Sequence, residues 1–224
     1  MSSKPVLDAS QVLEHLEDGM TIMVGGFMNA GAPLSIIEAI ADSSLRNLTY
    51  IGNDTGLTNE GVGRLVSSGV LSKVITTHIG LNKDTGRLMH EGKLDVELVP
   101  QGTLVERIRA GGAGLGGVLT PTGIGTIVEN GKQVITVNGQ DFLLELPLRA
   151  DISLIHASRV DRCGNAIYRG SSRNFNPLMA TSADKVFVEA EEVVEMGELD
   201  PDHIVTPRIF VNYIVKSQPV KRVA

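Results

Sequence analysis

The residues from Asp18 to Pro33, DGMTIMVGGFMNAGAP, set three glycines and a proline directly behind a short apolar run. Met20 to Val24 suits a buried strand, because it is bounded by a turn signal at Asp18-Gly19 and by Gly25-Gly26. Glycine at 25, 26 and 31 lets the backbone take positive φ and lets a ligand approach the amides within hydrogen-bonding distance. Pro33 has no N–H and a preset φ, which suits the first turn of the helix-like LSIIEAIA that follows. Two readings stand: a strand-to-helix turn that needs glycine for geometry alone, or an anion or oxyanion site made from the amides ahead of Pro33.

Asn53 and Gln101 each lie just past an expected strand end, where an amide side chain either donates to a bound carboxylate or caps a turn or helix. His78 also follows a strand, but no second His or Cys stands at metal-ligand spacing and no metal is expected. Cys163 is the single cysteine, so an internal disulfide is excluded and a reducing, cytoplasmic setting is the simplest expectation. Among glutamates, Glu129-Asn130-Gly131 sits between two alternating β runs, and a turn explains it without catalysis. Glu60 and Glu91 precede glycines in helix or loop segments, and Glu189, Glu191 and Glu192 read as a solvated acidic cluster.

The elements that must position these residues follow a repeating order. Asp8 to Glu17 reads as a helix with Asp8 as cap, Gln11 at the reciprocal position and an apolar face of Val12, Leu13 and Leu16. Strands are expected at Leu48 to Gly52, Lys73 to Thr77 and Asp95 to Val99, the last feeding a helix over Thr103 to Arg109. Strand, loop and helix thus alternate from the start, the pattern of an α/β fold with a mainly parallel open sheet and flanking helices, whose functional groups gather beyond the carboxyl ends of the strands. From Thr126 the pattern becomes an antiparallel hairpin excursion of three strands, Thr126 to Glu129, Gln133 to Val137 and Asp141 to Leu146, joined by Asn-Gly turns. Strands at Ile152 to Ala157, Lys185 to Glu189 and Ile209 to Val215, with a helix near Asn174 to Thr181, complete the order.

On this frame, Gly25-Gly26-Phe27, three residues, Gly31, one residue and Pro33 resembles the first signature of family I coenzyme A transferases, on the α-subunit side. IGNDT from Ile51, His78-Ile79-Gly80, LVPQGT from Leu98, AGGAGLGGVLTPTG from Ala110 and RNFNP from Arg173 resemble the same subunit, in the same order and over nearly the whole chain. The acetate and acetoacetate branch of short-chain fatty acid metabolism is the most similar in appearance. The resemblance implies a fold shared with sugar-phosphate isomerases and a loop, Gly25, Gly26, Phe27, Met28, Asn29, Ala30 and Gly31, that meets coenzyme A or its thioester. It also makes Asn53, Gln101, Gly112, Ala113 and Gly114 candidates for the substrate pocket. Coenzyme A is then a substrate, with no tightly bound cofactor.

In that family a glutamate attacks the acyl-CoA thioester, an acyl-glutamyl anhydride forms, and the returning thiolate gives a glutamyl-CoA thioester that the second acid takes over. The nucleophile belongs to a Ser-Glu-Asn-Gly motif on the β subunit. Here Val128 stands where that serine would be, so the resemblance implies no catalytic residue in this chain, a β-subunit partner and an α2β2 heterotetramer.

Composition narrows the alternatives. With 224 residues, 25 of them glycine and none Trp, the chain is read as one domain over 1–224 that relies on tight turns more than on aromatic surfaces. A net charge of −6 and a pI near 5.4 argue against nucleic acid or an anionic membrane as partner. The N-terminus has no apolar signal region, and the stretch from Ile22 to Ile37 is broken by glycines, Asn29, Pro33 and Ser35, so no membrane span is expected. The rival readings are a sugar-phosphate isomerase-like or ligand-sensing domain, which needs a carboxylate base beside a cationic phosphate clamp, and a non-catalytic CoA-binding module.

Overall fold

Strand and helix alternate through the first half of the computed structural model, which describes residues 2–219. The elements are β1 (Val6–Leu7), β2 (Thr21–Val24), α1 (Leu34–Ala41), β3 (Leu48–Ile51), α2 (Gly63–Ser67), β4 (Leu71–Thr76), α3 (Lys83–His90), β5 (Asp95–Leu98) and α4 (Gln101–Ala113). An excursion of β6 (Val118–Thr120), β7 (Val134–Val137) and β8 (Gln140–Glu145) precedes β9 (Ala150–Asp161) and β10 (Ala166–Ile167). The chain ends in α5 (Asn176–Met179), β11 (Ala183–Val194) and β12 (Tyr213–Lys216). The expected domain, 1–224, includes Met1 and residues 220–224, which lie outside the described residues.

The nine-stranded main sheet follows the path β1-β12-β11-β9-β2-β3-β4-β5, with β10 paired to β9 off that path. Every step of the path is parallel. β10 folds back antiparallel on β9. The sheet is covered on both sides at its centre, where β2, β3 and the middle of β9 and β11 are largely buried. Alternate residues divide between two cores: Ile22, Tyr50, Val74 and Leu154 meet α1, α2 and the N-terminal turn, while Met23, Ile51, Ile75 and Ile155 lie in the core shared with α4 and α5. From β2 the chain builds outward through β3, β4 and β5, then returns to lay β9 on the other side of β2. The β2/β9 boundary is therefore the switch point, where an open parallel sheet leaves a crevice at its carboxyl edge.

Several elements differ from the expectation. Residues Ala9–His15 form a 3-10 helix, with Asp8 N–H donating to Gln11 Oε1 at 2.9 Å. The first strand of the small sheet is β6, in the order β6-β8-β7. Thr126 to Glu129 instead forms a 3-10 turn, because Thr126 Oγ1 accepts from Val128 N–H at 3.2 Å and the Glu129 carboxylate accepts from Gly125 N–H at 2.6 Å. Local side-chain bonds here outcompete strand pairing. Only Asn138-Gly139 makes the expected hairpin turn, with φ of 52° and 78°. α4 runs two residues earlier and four later than expected and ends at Gly114 in the left-handed region, φ 69°. Arg208–Phe210 is a 3-10 turn ahead of β12.

Candidate functional site

β2 ends where Gly25 N–H reaches across to Leu154 O of β9 at 3.0 Å. The chain then doubles back. Phe27 N–H donates to Ala30 O at 3.0 Å and Ala30 N–H to Phe27 O at 2.9 Å, closing a two-residue hairpin. Its central residues, Met28 and Asn29, have φ of 47° and 67°, the positive pair of a type I′ turn. Asn tolerates that conformation, but a methionine there costs about 1–2 kcal/mol, so the rest of the structure must hold the turn in place.

Asp54, in the loop after β3, supplies one hold. Its Oδ2 accepts from Met28 N–H at 3.0 Å and from Asn53 Nδ2 at 2.9 Å, while Oδ1 accepts from Gly56 N–H at 2.8 Å. Asn53 Oδ1 in turn accepts from Gln101 Nε2 of α4 at 2.6 Å. The structure thus brings the sequence candidates Asn53 and Gln101 together with the glycine loop, through a buried carboxylate that sequence reasoning did not single out.

The second hold comes from the RNFNP segment. Asn174 Oδ1 accepts from Gly26 N–H at 3.1 Å, and its Nδ2 donates to Ala30 O at 2.9 Å, so one side chain ties both limbs of the hairpin. Asn176 Nδ2 donates to Gly31 O at 3.0 Å, and its Oδ1 accepts from His156 N–H at 3.1 Å. Asn174 itself sits at φ 23°, ψ −122°, a second strained residue in the same assembly.

This packing changes the reading of the glycines. A Cβ at Gly25 would lie 1.8 Å from Asn176 Oδ1, one at Gly26 2.8 Å from Ala32 Cβ, and one at Gly31 2.2 Å from Ser172 O. The protein's own atoms therefore account for all three. The amides ahead of Pro33 are also largely committed. Those of Gly25, Gly26, Phe27, Met28, Ala30 and Ala32 are bonded within the protein, which leaves Asn29 and Gly31 N–H without partners among the described residues.

The N-terminus of α1 is closed as well. Glu189, expected in a solvated cluster, is 1% exposed and accepts from Ser35 N–H at 3.2 Å and Ile36 N–H at 3.1 Å, with Ser35 and Ser217 hydroxyls each at 3.0 Å. A carboxylate on the helix dipole is a stable arrangement, and it removes α1 as an anion site.

Beside the hairpin lies a cleft of about 390 Å³. Phe27 and Ala30 form one wall, Gln101 and Val105 of α4 the second, and Asn174 and Phe175 the third. α4 starts at this cleft with no side-chain cap, so its first-turn amides and dipole remain available there. Gly112, Ala113 and Gly114 lie at the opposite end of α4, about 17 Å along its axis at 1.5 Å per residue, and are not part of this constellation. A Cβ at Gly112 would meet Thr181, so that glycine serves helix packing. Glu129 is held in its turn within the excursion. His78 Nδ1 faces Thr77 Oγ1 at 3.2 Å, and Cys163 is buried with its Sγ 3.0 Å from Met196 Sδ. Behind the hairpin, burial holds His156 below the usual histidine value, opposed by the nearby Glu191 and Glu189 carboxylates. Burial also pushes the Tyr168 phenol up to about 12.

The site is a crevice at the switch point of a parallel sheet, walled by a latched hairpin and an uncapped helix start. Residues 6–217 match the coenzyme A transferase family model, and the chain belongs to that family. It is 57% identical over 204 residues to the acetate CoA-transferase subunit alpha of Escherichia coli (strain K12), covering 91% of this chain and 93% of that one. It is 50% identical over 216 residues to the acetoacetyl-CoA:acetate/butyrate CoA transferase alpha subunit of Clostridium acetobutylicum, covering 96% and 99%.

Among solved structures, an acyl-CoA transferase from Escherichia coli O157:H7, as a thioester complex with CoA, superposes with a TM-score of 0.87 at 21% identity. That match covers 96% of this chain and 50% of the other, so this chain spans half the length of that protein. Glutaconate coenzyme A-transferase from Acidaminococcus fermentans gives 0.84 at 17% identity, covering 95% and 75%. At these identities the likeness establishes the fold. Among the described residues, no helix is long and apolar enough to cross a membrane.

Proposed function

We propose that this chain is the α subunit of a heteromeric CoA-transferase that moves CoA between a short-chain acyl-CoA and a free carboxylate such as acetate, with the glutamate nucleophile on a β subunit. The observation that carries this reading is the cleft itself, which lies at the uncapped N-terminus of α4 and has no carboxylate among its lining residues. Such a wall orients a thioester and stabilises charge developing on its carbonyl oxygen; fixed dipoles need no reorganisation as the reaction proceeds. Asn29 and Gly31 of the Gly25–Gly31 loop, with the start of α4, are the donors in this division of labour. Gln101 and Asn53 position the loop through Asp54.

The β-subunit glutamate attacks the thioester carbonyl and expels CoA thiolate, leaving an acyl-glutamyl anhydride. The thiolate then attacks the glutamyl carbonyl, the first acid departs as carboxylate, and the incoming acid reverses the two steps. The names of the relatives support the α role and a β partner. We take the chain as one domain working in the cytoplasm within an α2β2 assembly. An isomerase would need a base and a phosphate clamp, and the cleft lining holds neither.

The isolated chain should show no transfer from acyl-CoA to acetate, and adding β should restore it. Borohydride trapping of the glutamyl-CoA thioester, followed by peptide mapping, should place the label on β. A labelled glutamate in this chain, or robust activity of the isolated chain that Glu129→Gln abolishes, refutes the reading.

A further inference from the structure

The walls of the cleft carry more information than its position. Gln101 and Val105 are four residues apart on α4 and therefore share a face. Gln101 reaches sideways to Asn53 through Nε2, so Val105 presents the apolar part of that face to the cleft opposite Phe27 and Phe175. No charged side chain lines the space. Its polar groups are also largely committed: Asn174 Oδ1 accepts from Gly26 and Phe175 N–H, and its Nδ2 donates to the carbonyls of Ala30, Ser171 and Ser172. An adjoining hollow that shares Gly102 is lined by Glu106, whose carboxylate pairs with Arg109 at 3.0 Å.

A volume of about 390 Å³ lies near the small end of the range for ligand sites, about 300–1,000 Å³. A short uncharged tail gains by entering such a space. A tail ending in a second carboxylate would give up its water without finding a cation among the lining residues, which is unfavourable.

We propose that Val105 and Phe175 determine acyl selectivity: they form the apolar floor that admits short, uncharged acyl tails and rejects longer ones and those ending in a carboxylate. This inference rests on the α-subunit reading above and adds the residues that choose the substrate. Val105 contributes two methyl groups, and one methylene in an apolar pocket typically changes discrimination by about 10- to 200-fold.

The test uses the reconstituted α/β complex with acetate as acceptor and butyryl-, hexanoyl- and succinyl-CoA as donors, comparing ratios of kcat/KM. The wild type should favour butyryl-CoA over both others by about tenfold or more. Val105→Ala should raise the hexanoyl-to-butyryl ratio about tenfold, and Phe175→Leu should move it in the same direction. Val105→Lys, which places a cation on the floor, should raise the succinyl-to-butyryl ratio about tenfold or more. Ratios that stay within about twofold of wild type in variants that still transfer butyryl groups would overturn this inference and leave the α-subunit reading intact. Wild-type use of succinyl-CoA on a par with butyryl-CoA would do the same. A complex that transfers no acyl group from any donor would overturn the α-subunit reading, and this inference with it.

Discussion

Asn174 is the residue whose removal should loosen the glycine hairpin most directly, and two substitutions separate its roles. Its Oδ1 is the acceptor for Gly26 N–H at 3.1 Å, and Gly26 is buried, so truncation strands a donor away from water. Leaving a buried donor unsatisfied costs about 1–3 kcal/mol. Of its remaining bonds, Nδ2 to Ala30 O at 2.9 Å ends on an exposed residue whose carbonyl can be rehydrated, and adds little. The backbone makes a further contribution: at φ 23° a Cβ is disfavoured, and glycine escapes that penalty of about 1 kcal/mol or more.

Asn174→Ala should therefore destabilise the chain by about 1–3 kcal/mol, and Asn174→Gly by about 1 kcal/mol less. Urea unfolding followed by far-ultraviolet circular dichroism measures both, since the chain has no Trp to report by fluorescence. In the α/β complex both variants should lose transfer activity to a similar degree, because both release the hairpin. A variant pair of equal stability would refute the strain argument. Unchanged transfer in both would refute the idea that the hairpin must be held for the reaction.

Asp54→Ala should lower kcat of the complex about tenfold by depriving Met28 N–H of its acceptor, and Met28→Gly, which relieves the strained turn, should recover part of that loss; equal losses with and without Met28→Gly would sink the latch. His156 is buried and held below its ordinary value of 6.5, so the unfolded chain binds a proton at higher pH than the folded one. Its contribution to stability is complete above about pH 6.5 and is lost as pH falls toward the lower folded value; Tm should drop between pH 7.5 and 5.5, and His156→Gln should flatten part of that drop. Glu129→Gln should leave transfer by the α/β complex unchanged, since its carboxylate serves only the Gly125 turn.

The parallel sheet was readable because its strands are bounded by glycines and turns and are apolar on both faces, as at Thr21–Val24 and Leu48–Ile51. The order β12-β11-β9-β2 was not, because nothing local in Ala150–Asp161 states that it will lie beside β2 instead of extending the far edge. The excursion misled at Thr126 to Glu129, where β-branched residues signal a strand but Thr126 and Glu129 carry side-chain acceptors that close a turn first. Glu189 was misread for a related reason. Its neighbours Glu191 and Glu192 suggest solvent, yet the middle of β11, residues 186–190, is buried on both faces, and Glu189 meets the start of α1 there.

In the site, the signature glycines have a packing reason that the sequence did not show. Asn176, Ala32 and Ser172 crowd them, so the stretch from Ser172 to Asn176 packs directly on the loop. The two most recognisable stretches of the sequence, 145 residues apart at Gly31 and Asn176, are thus two halves of one clamp. The same logic explains Asp54. A carboxylate that accepts from Met28, Asn53 and Gly56 stabilises a turn that Met28 would otherwise disfavour, so strain in the hairpin and burial of the acid belong together. With most loop amides spent on this clamp, the donors left for a ligand are few: Asn29, Gly31 and the uncapped start of α4. A site with so few free donors and an apolar floor gains its selectivity from shape and desolvation, which is why the perturbations expected to change substrate choice lie at Val105 and Phe175 and not at the glycines.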